Sequence, residues 1–326
     1  GNADDGNSLL TERTERTTAT STGERVTTYA YDVRGNLLLT AGATAPHALV
    51  KYDNLGRQLA QASYGGSAPS ASADPESLAT NRLTLSSSKY DERGRVCQSY
   101  FYDIDPADGS NDGSLRTDYW YDATGRTIQV EGDSLSKSRY DRLGRMTHSF
   151  VLAEDDTVRS YAAADDVSGD IVLVEQQTVY ESEDSDDVLM NVTIERFHDD
   201  NGGSATTGEL DTNADSDALV LMAANIKGRI QIQASWYDVL GRLEDSVEYG
   251  TYAGATFDRD GLSVPARSAT ALRTTLDYDD TGEQFSVVDP KGIERRSEFD
   301  DMGRQVAVIE NYEDGTPETL ETDKDQ

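Results

Sequence analysis

A short signature recurs along this chain: an aromatic residue, Asp, two variable residues, Gly and usually Arg. Clear copies begin at nine positions, namely Tyr31, Tyr52, Tyr90, Tyr121, Tyr140, Tyr237, Phe257, Tyr278 and Phe299. The spacing is nearly constant where copies follow one another, with 21 residues from position 31 to 52, 19 from 121 to 140 and 21 from 278 to 299. A fixed period of this kind is typical of repeat proteins, so the signature limits the chain to a fold built by stacking one unit.

Each position of the signature suits a tight turn between two strands. The Asp side chain accepts hydrogen bonds from main-chain N–H groups two or three residues later, and Gly supplies the positive φ that other residues resist. The aromatic residue is expected to end the incoming strand and Arg to begin the outgoing one. The predicted turn residues are Asp32, Asp53, Asp91, Asp122, Asp141, Asp238, Asp258, Asp279 and Asp300; Gly35, Gly56, Gly94, Gly125, Gly144, Gly241, Gly261, Gly282 and Gly303; and Arg57, Arg95, Arg126, Arg145, Arg242 and Arg304.

A second turn signal, Asp289-Pro290-Lys291-Gly292, lies midway between two signatures. One period is therefore predicted to contain two short strands and two turns. Alternation supports the strands, because Ile230, Ile232, Ala234 and Trp236 are separated by polar residues. Eroded copies are expected at 73–74, 165–169 and 198–202.

A single hairpin is marginally stable in water and leaves both edges unpaired. Stacking hairpins edge to edge satisfies those edges and places equivalent Tyr, Asp and Arg side chains in rows. Within a row, Arg can pair with a neighbouring Asp and lie over a Tyr ring. The sequence therefore predicts an all-β fold of stacked antiparallel β-hairpins.

The repeats are not uniform along the chain. We expect an irregular N-terminal segment at 1–20, repeats at 21–150, eroded acidic repeats with insertions at 151–236, and repeats at 237–326 that stop within a unit. Residues 151–217 contain 19 Asp and Glu against two Arg, although Val188, Met190, Val192 and Ile194 still alternate as in a strand. This acidic region is consistent with solvated loops, with a docking surface or with a cation site.

Composition excludes several kinds of partner. The formal net charge of −32 argues against nucleic acid and anionic membrane surfaces, which both require a basic footprint. No run of 18 apolar residues occurs, so we expect no membrane insertion by this segment. Cys97 is the single cysteine, which excludes an internal disulfide and a cysteine-based zinc site.

The sequence contains fragments of catalytic and metal-binding patterns, but each lacks residues that its chemistry requires. Asp211-x-Asn213-x-Asp215-x-Asp217 imitates the start of a calcium loop, but Ser216 replaces its Gly and Met222 replaces its bidentate Glu. The three histidines, His47, His148 and His198, have no metal-ligand spacing. No nucleophile or nucleotide motif occurs. We therefore expect a non-catalytic chain that uses no cofactor and has no predicted metal ligands.

The signature Y-D-x-x-G-R, with D-P-x-G between copies, resembles the RHS or YD-repeat proteins over residues 21–315. These include bacterial polymorphic toxins, cocoon subunits of insecticidal toxin complexes and the teneurin shell. The resemblance implies one long curved antiparallel sheet, wound as a spiral of hairpins into a shell of which this chain would be a part.

The same resemblance implies a role and partners. The chain would be a structural segment of a shell on a secreted or cell-surface bacterial protein, in contact with other segments of that polypeptide. In the toxin members the shell encloses a C-terminal toxin domain, so a cargo of that kind is expected here. Because the last repeat is cut short, we expect the chain to be a fragment of a longer protein.

A competing hypothesis makes the chain an adhesin or a cell-contact surface. Sugars stack on aromatic rings and hydrogen-bond to carboxylates, and Trp120 beside Tyr121 or Trp236 beside Tyr237 would supply such a platform for a glycan or a surface receptor. Sheet packing also explains aromatic residues at these positions.

Overall fold

The fold of the chain is all-β, as the sequence predicts. The computed structural model describes residues 9–16, 24–153, 166–182, 184–197, 207–211, 220–222, 226–252, 256–260 and 262–312. The chain divides into two compact units, Gly1–Asp133 and Ser134–Gln326. Among the described residues the regular elements are all strands, and none is a helix long and apolar enough to cross a membrane.

The first unit is a meander of nine strands in which each strand pairs antiparallel with the next. They are β1 (Glu12–Arg16), β2 (Glu24–Tyr31), β3 (Leu37–Ala41), β4 (His47–Tyr52), β5 (Gln58–Tyr64), β6 (Arg82–Tyr90), β7 (Val96–Ile104), β8 (Asn111–Tyr121) and β9 (Thr127–Glu131). The expectation that residues 1–20 are irregular is wrong for β1, because its backbone pairs along the edge of β2.

The second unit has ten strands in its main sheet: β10 (Leu135–Tyr140), β11 (Met146–Leu152), β12 (Val172–Ser182), β13 (Ser185–Arg196), β15 (Gly228–Tyr237), β16 (Leu243–Tyr252), β18 (Leu272–Tyr278), β19 (Gln284–Val288), β20 (Glu294–Phe299) and β21 (Gln305–Tyr312). Each pairs antiparallel with the next strand in this series. The two short strands left out of the series, β14 (Val220–Met222) and β17 (Thr256–Asp258), pair with each other.

The predicted period of two strands and two turns is confirmed by β18 to β21. The signature at Tyr278 joins β18 to β19, Asp289–Gly292 joins β19 to β20, and the signature at Phe299 joins β20 to β21. In both signatures the aromatic residue is opposite the residue six positions later, after a shift of register. This shift is the β-bulge that follows when a turn ends in a Gly with positive φ.

In the copy at Phe257 the predicted Asp258 contact is present, because Asp260 N donates to Asp258 Oδ1 at 2.9 Å. Phe257 itself does not end a strand of the main sheet, which corrects the prediction for that residue, and Gly261 lies outside the described residues. Phe257 belongs to β17, is only 4% exposed and packs edge-on against the rings of Tyr249 and Tyr252. The apolar ring is therefore held in the core of the second unit instead of ending a strand of the main sheet.

The eroded copies also differ from hairpin turns. Asp74 lies in the long connection between β5 and β6, where Lys51 donates to its carboxylate at 2.7 Å. Residues 166–169 lie in the connection between β11 and β12, where Ser168 N donates to Asp166 Oδ1 at 2.8 Å. Residue 165 and residues 198–202 are outside the part of the chain that the structure describes.

Each unit has its own apolar cluster. In the first unit, Leu49, Ala62, Tyr64 and Leu85 are buried together. The larger cluster of the second unit combines the predicted alternating residues of β13 and β15, including Met190, Val192, Ile194, Ile230 and Ile232, with Phe150 of β11. Val167 and Leu210 from connecting segments, and Leu221 of β14, join the same cluster. The acidic region 151–217 is therefore not made only of solvated loops, because apolar side chains of its described connecting segments pack against the buried face of the sheet.

Candidate functional site: the repeated turn and its arginine contacts

In most signatures the Asp organises its turn through both carboxylate oxygens, whereas Asp279, with Glu283 at the Arg position, accepts from the turn's N–H groups through Oδ1. In the copy at Tyr90, Asp91 Oδ1 accepts from the N–H groups of Arg93 and Arg95 at 2.9 Å each, and Oδ2 accepts from Arg95 Nε at 2.7 Å. The donor two residues later is a predicted one, and a donor three residues later is present at Asp122, which accepts from Gly125 N at 2.8 Å. The donor four residues later was not predicted. The fourth residue is reached because the bulge turns its N–H back toward the Asp. The same pair of donors serves Asp32, Asp53, Asp122, Asp141, Asp238, Asp279 and Asp300, and also Asp289.

The signature glycines adopt the predicted positive φ. Gly94 has φ +83°, and its N–H donates to the Asp91 carbonyl at 3.0 Å. This conformation disfavours any residue with a Cβ. Positive φ is also found at Gly35, Gly56, Gly125, Gly144, Gly241, Gly282 and Gly303, and at Gly292 of the intervening turn.

The hydrogen bonds of the turn change the acidity of its Asp. The Arg57 N–H, with the Arg57 side chain, holds the pKa of Asp53 below its ordinary value, and Arg95 and Arg242 do the same for Asp91 and Asp238. A lowered pKa means that the ionised carboxylate is the form that the folded turn stabilises.

The signature Arg connects one copy to the next, in an arrangement that we call the arginine clamp. Arg95 bonds its own Asp91, and its Cζ lies 4.3 Å from the ring centroid of Tyr121 in the following copy. The Tyr121 hydroxyl donates back to the Val96 carbonyl, next to Arg95, at 2.7 Å. The clamp recurs for Arg57 with Tyr90, Arg145 with Tyr180 and Arg242 with Tyr278, at 4.6, 4.1 and 4.4 Å. The Arg therefore pairs with the Asp of its own turn and stacks on the Tyr near the end of the next strand of the sheet. For Arg242 this is Tyr278 of β18, because β16 pairs with β18 and the copy at Phe257 lies outside the main sheet.

Tyr180 is a clamp residue that the sequence reasoning missed. Its hydroxyl donates to the Met146 carbonyl at 3.2 Å, as the other clamp tyrosines do. The Gly and Arg of the signature are absent after Tyr180, so a search for the complete motif does not find it. The one sequence signal left for this clamp residue is an aromatic residue near the end of a strand.

The clamp changes where the signature loses its Arg. Glu283 takes the Arg position of the copy at Tyr278, and the following copy begins with Phe299, which has no hydroxyl. Asn36 replaces Arg in the first copy, and its Nδ2 still donates to Asp32 Oδ2 at 2.8 Å. Asn36 therefore keeps the hydrogen bond to the Asp of its turn. In the copy with Glu283, the Arg is replaced by Glu and the Tyr of the following copy is replaced by Phe299.

A double-mutant cycle on Arg95 and Tyr121 should show that the clamp is an energetic connection between copies. Arg95→Met and Tyr121→Leu remove the two stacked groups, and urea unfolding of the single and double variants should give a coupling of about 0.5–2 kcal/mol. The control combines Arg95→Met with Tyr29→Leu, which belongs to another copy and should be additive. Additivity in the first cycle would contradict the clamp.

The aromatic platform predicted for glycans is distributed over both units. Trp120 lies half-buried in β8, and Trp236 lies in β15. Arg259 Cζ covers the Trp236 ring at 4.4 Å, and Trp236 Nε1 donates to the Leu262 carbonyl at 3.0 Å. Glycan binding remains a prediction, which a glycan array with Trp120→Ala as the comparison would test.

One cluster in the second unit brings together groups capable of holding a metal. A ring nitrogen of His148 and carboxylate oxygens of Glu175 and Glu209 lie within 4.8 Å of one another. Burial raises the pKa of Glu175 to about 7, against hydrogen bonds from Gln177 and Leu210. The sequence did not predict this cluster because its members are 27 and 34 residues apart. Of the other predicted chemistry, His47 lies in the first unit, and His198 and residues 212–219 of the calcium-like pattern lie outside the described residues.

Comparison with known proteins gives distant structural similarities. No protein-family model and no curated protein matches the chain. Among solved structures it is similar to a TcdB2–TccC3 complex, with 14% identity over 87% of this chain and 17% of that one and a TM-score of 0.25. It is similar to a Photorhabdus luminescens Tc holotoxin pore with a TccC3 mutation, at 13% identity, over 87% of this chain and 16% of that one, with a TM-score of 0.22. A porin-like protein from Bacteroides uniformis matches at 11% identity, over 91% of this chain and 93% of that one, with a TM-score of 0.17. The chain thus spans less than a fifth of each toxin chain, and TM-scores of this size identify no family.

Proposed function

We propose that this chain is a non-catalytic structural segment of an RHS or YD-repeat shell, on a secreted or cell-surface bacterial protein. The shell would enclose a C-terminal toxin domain or another cargo. Other segments of the same polypeptide are the partners that extend the wall.

The observation that supports this proposal best is the arginine clamp. A wall built of hairpins needs a contact that ties each hairpin to the next and does not depend on a thick core. Each clamp supplies an ion pair within one turn, a guanidinium stacked on the next tyrosine and a hydroxyl bonded back to the first copy. Single contacts of this kind are weak, and they become important because the array repeats them.

The shell and its cargo are tested by separate experiments, since the cargo is proposed from the sequence resemblance alone. Electron microscopy of the full-length gene product that contains this chain should show a hollow particle with the repeats in its wall. An open, extended particle would overturn the shell role.

Protease digestion of the same particle tests encapsulation. The segment that follows the repeats should be cleaved slowly in the intact particle and quickly after mild denaturant has opened the shell. Equal cleavage rates in the two states would contradict encapsulation of a cargo, and the structural role of the repeats in the shell wall would not be affected.

A further inference from the structure

The acidic region of the second unit contains a cluster with the chemistry of a metal centre. We propose that His148, Glu175 and Glu209 bind one divalent transition-metal ion of the zinc class. This inference concerns the second unit alone and is independent of the shell role.

The sheet positions two of the three ligands. In the β11–β12 pair, His148 is opposite Gln177 and Phe150 is opposite Glu175, so His148 and Glu175 are diagonal neighbours on one face. Diagonal side chains of a sheet are within reach of each other. The His148 ring lies parallel to the Phe150 ring at 5.8 Å, which fixes the plane of the imidazole.

Backbone contacts hold the third ligand over the same face. Glu209 is in the segment 207–211, where Gly208 forms a parallel bridge with Ile171 and Asp211 an antiparallel bridge with Ile226. Gly208 N also donates to the Asp170 carbonyl at 2.8 Å. Glu209 is thus fixed from both sides, as a ligand has to be if the site is to be preorganised.

Glu175 supplies the strongest argument, because its environment is unusual for a carboxylate. It is fully buried and is opposite Phe150 on one side and Ile194 on the other, both also fully buried. In the described part of the chain, its hydrogen bonds come from neutral groups: the Gln177 side chain and the N–H groups of Leu210 and Asp211. Buried carboxylates are costly unless they are neutral, paired with a cation or bound to a metal.

The contacts around the cluster fit a divalent ion. Arg139 bonds Glu209 at 2.5 Å, which holds that carboxylate beside the other two groups. Gln177 Nε2 reaches Glu175 Oε1 at 2.7 Å and Asp211 Oδ2 at 3.4 Å, which is the role of an outer-shell residue that orients ligands.

The ligand set selects the kind of metal. One imidazole with two carboxylates suits zinc and its neighbours, whereas calcium and magnesium prefer oxygen ligands alone. Bonds of about 2.0–2.1 Å in a tetrahedron place ligand atoms about 3.3 Å apart, so the cluster would contract by roughly 1–1.5 Å on binding. A cavity of about 410 Å³, lined by Glu209, Asp211, Arg139 and Lys227 among others, adjoins the cluster at Glu209, the ligand from whose side an ion would enter.

Zinc titration of the whole chain tests the proposal. After chelator treatment, calorimetry in a large excess of Mg²⁺, which occupies ordinary carboxylate sites on this acidic surface, should show one zinc ion per chain. His148→Asn and Glu209→Gln should abolish this binding, and Gln177→Ala should weaken it by about 10–100-fold, as the loss of an outer-shell contact does. The matched controls His47→Asn, in the first unit, and Glu195→Gln, a half-buried acid paired with Arg229, should bind as the wild type does.

Cobalt substitution gives a second measurement that does not depend on the stability of a variant. The wild-type chain with one equivalent of Co²⁺ should show visible absorption bands of a four-coordinate site, and zinc should displace them. Because Glu209 is on a connecting segment, Glu209→Gln should keep the β-sheet circular dichroism spectrum and lose the bands. Wild-type binding below one equivalent in Mg²⁺, or one equivalent retained by both His148→Asn and Glu209→Gln, would overturn the proposal.

Discussion

Phe150→Ala is expected to destabilise the second unit by about 3–5 kcal/mol, the usual cost of removing a fully buried aromatic side chain. Phe150 is 0% exposed and belongs to the apolar cluster that joins β11, β13 and β15. Its ring also lies against His148 and carries the Arg139 guanidinium at 5.1 Å. Alanine would therefore leave a cavity and remove the support of two polar side chains at once.

Phe101→Ala is the matched control, because Phe101 is a strand phenylalanine of β7 that is 59% exposed. Its replacement should change the free energy of unfolding by no more than about 0.5 kcal/mol. Urea unfolding measures the total loss, and hydrogen exchange shows where it occurs. We expect faster exchange in β11 to β15 of the Phe150 variant. Similar losses for the two variants would show that the cluster around Phe150 is not the core of this unit.

The turns were the part of the fold that the sequence predicted best, because their chemistry is local. Asp91 and Gly94 are three residues apart, and one bend needs both a carboxylate acceptor and a residue with positive φ. The pattern of hydrophobic alternation in β13 and β15 was equally local, and the buried faces of both strands follow it.

The sequence-based predictions failed where segments far apart in the chain determine the position of a residue. Phe257 has the same neighbours in sequence as a turn residue, yet the pairing of β17 with β14 draws it into the core. Tyr180 kept its clamp contact after the rest of its motif was lost, because the contact depends on Arg145 of another copy. The His148 cluster depends on the register of β11 with β12 and on a connection laid over them, which no spacing along the chain encodes.

The second large effect is expected from Gly144→Val, which should cost about 1–3 kcal/mol because a β-branched residue resists positive φ. Gly144 has φ +91° in the turn between β10 and β11. Gly113→Val is the matched control: Gly113 is in β8, does not have positive φ, and a Cβ there would meet no atom within 4 Å. Valine favours strands, so the control should be neutral or slightly stabilising. Cys97→Ser, another strand substitution, should also have a small effect.

The damage from Gly144→Val should spread along the chain of contacts. The next residue, Arg145, bonds Asp141 at 2.7 Å and stacks on Tyr180 at 4.1 Å, so a distorted turn would release β12 from β11 as well. In a repeat array each unit depends on its neighbours, so distant strands should remain closed. Hydrogen exchange should therefore become faster in β10, β11 and the Tyr180 end of β12, while β18 to β21 stay protected. A uniform rise across the second unit would mean that it unfolds as one block, and the clamp would then not be what links one hairpin to the next.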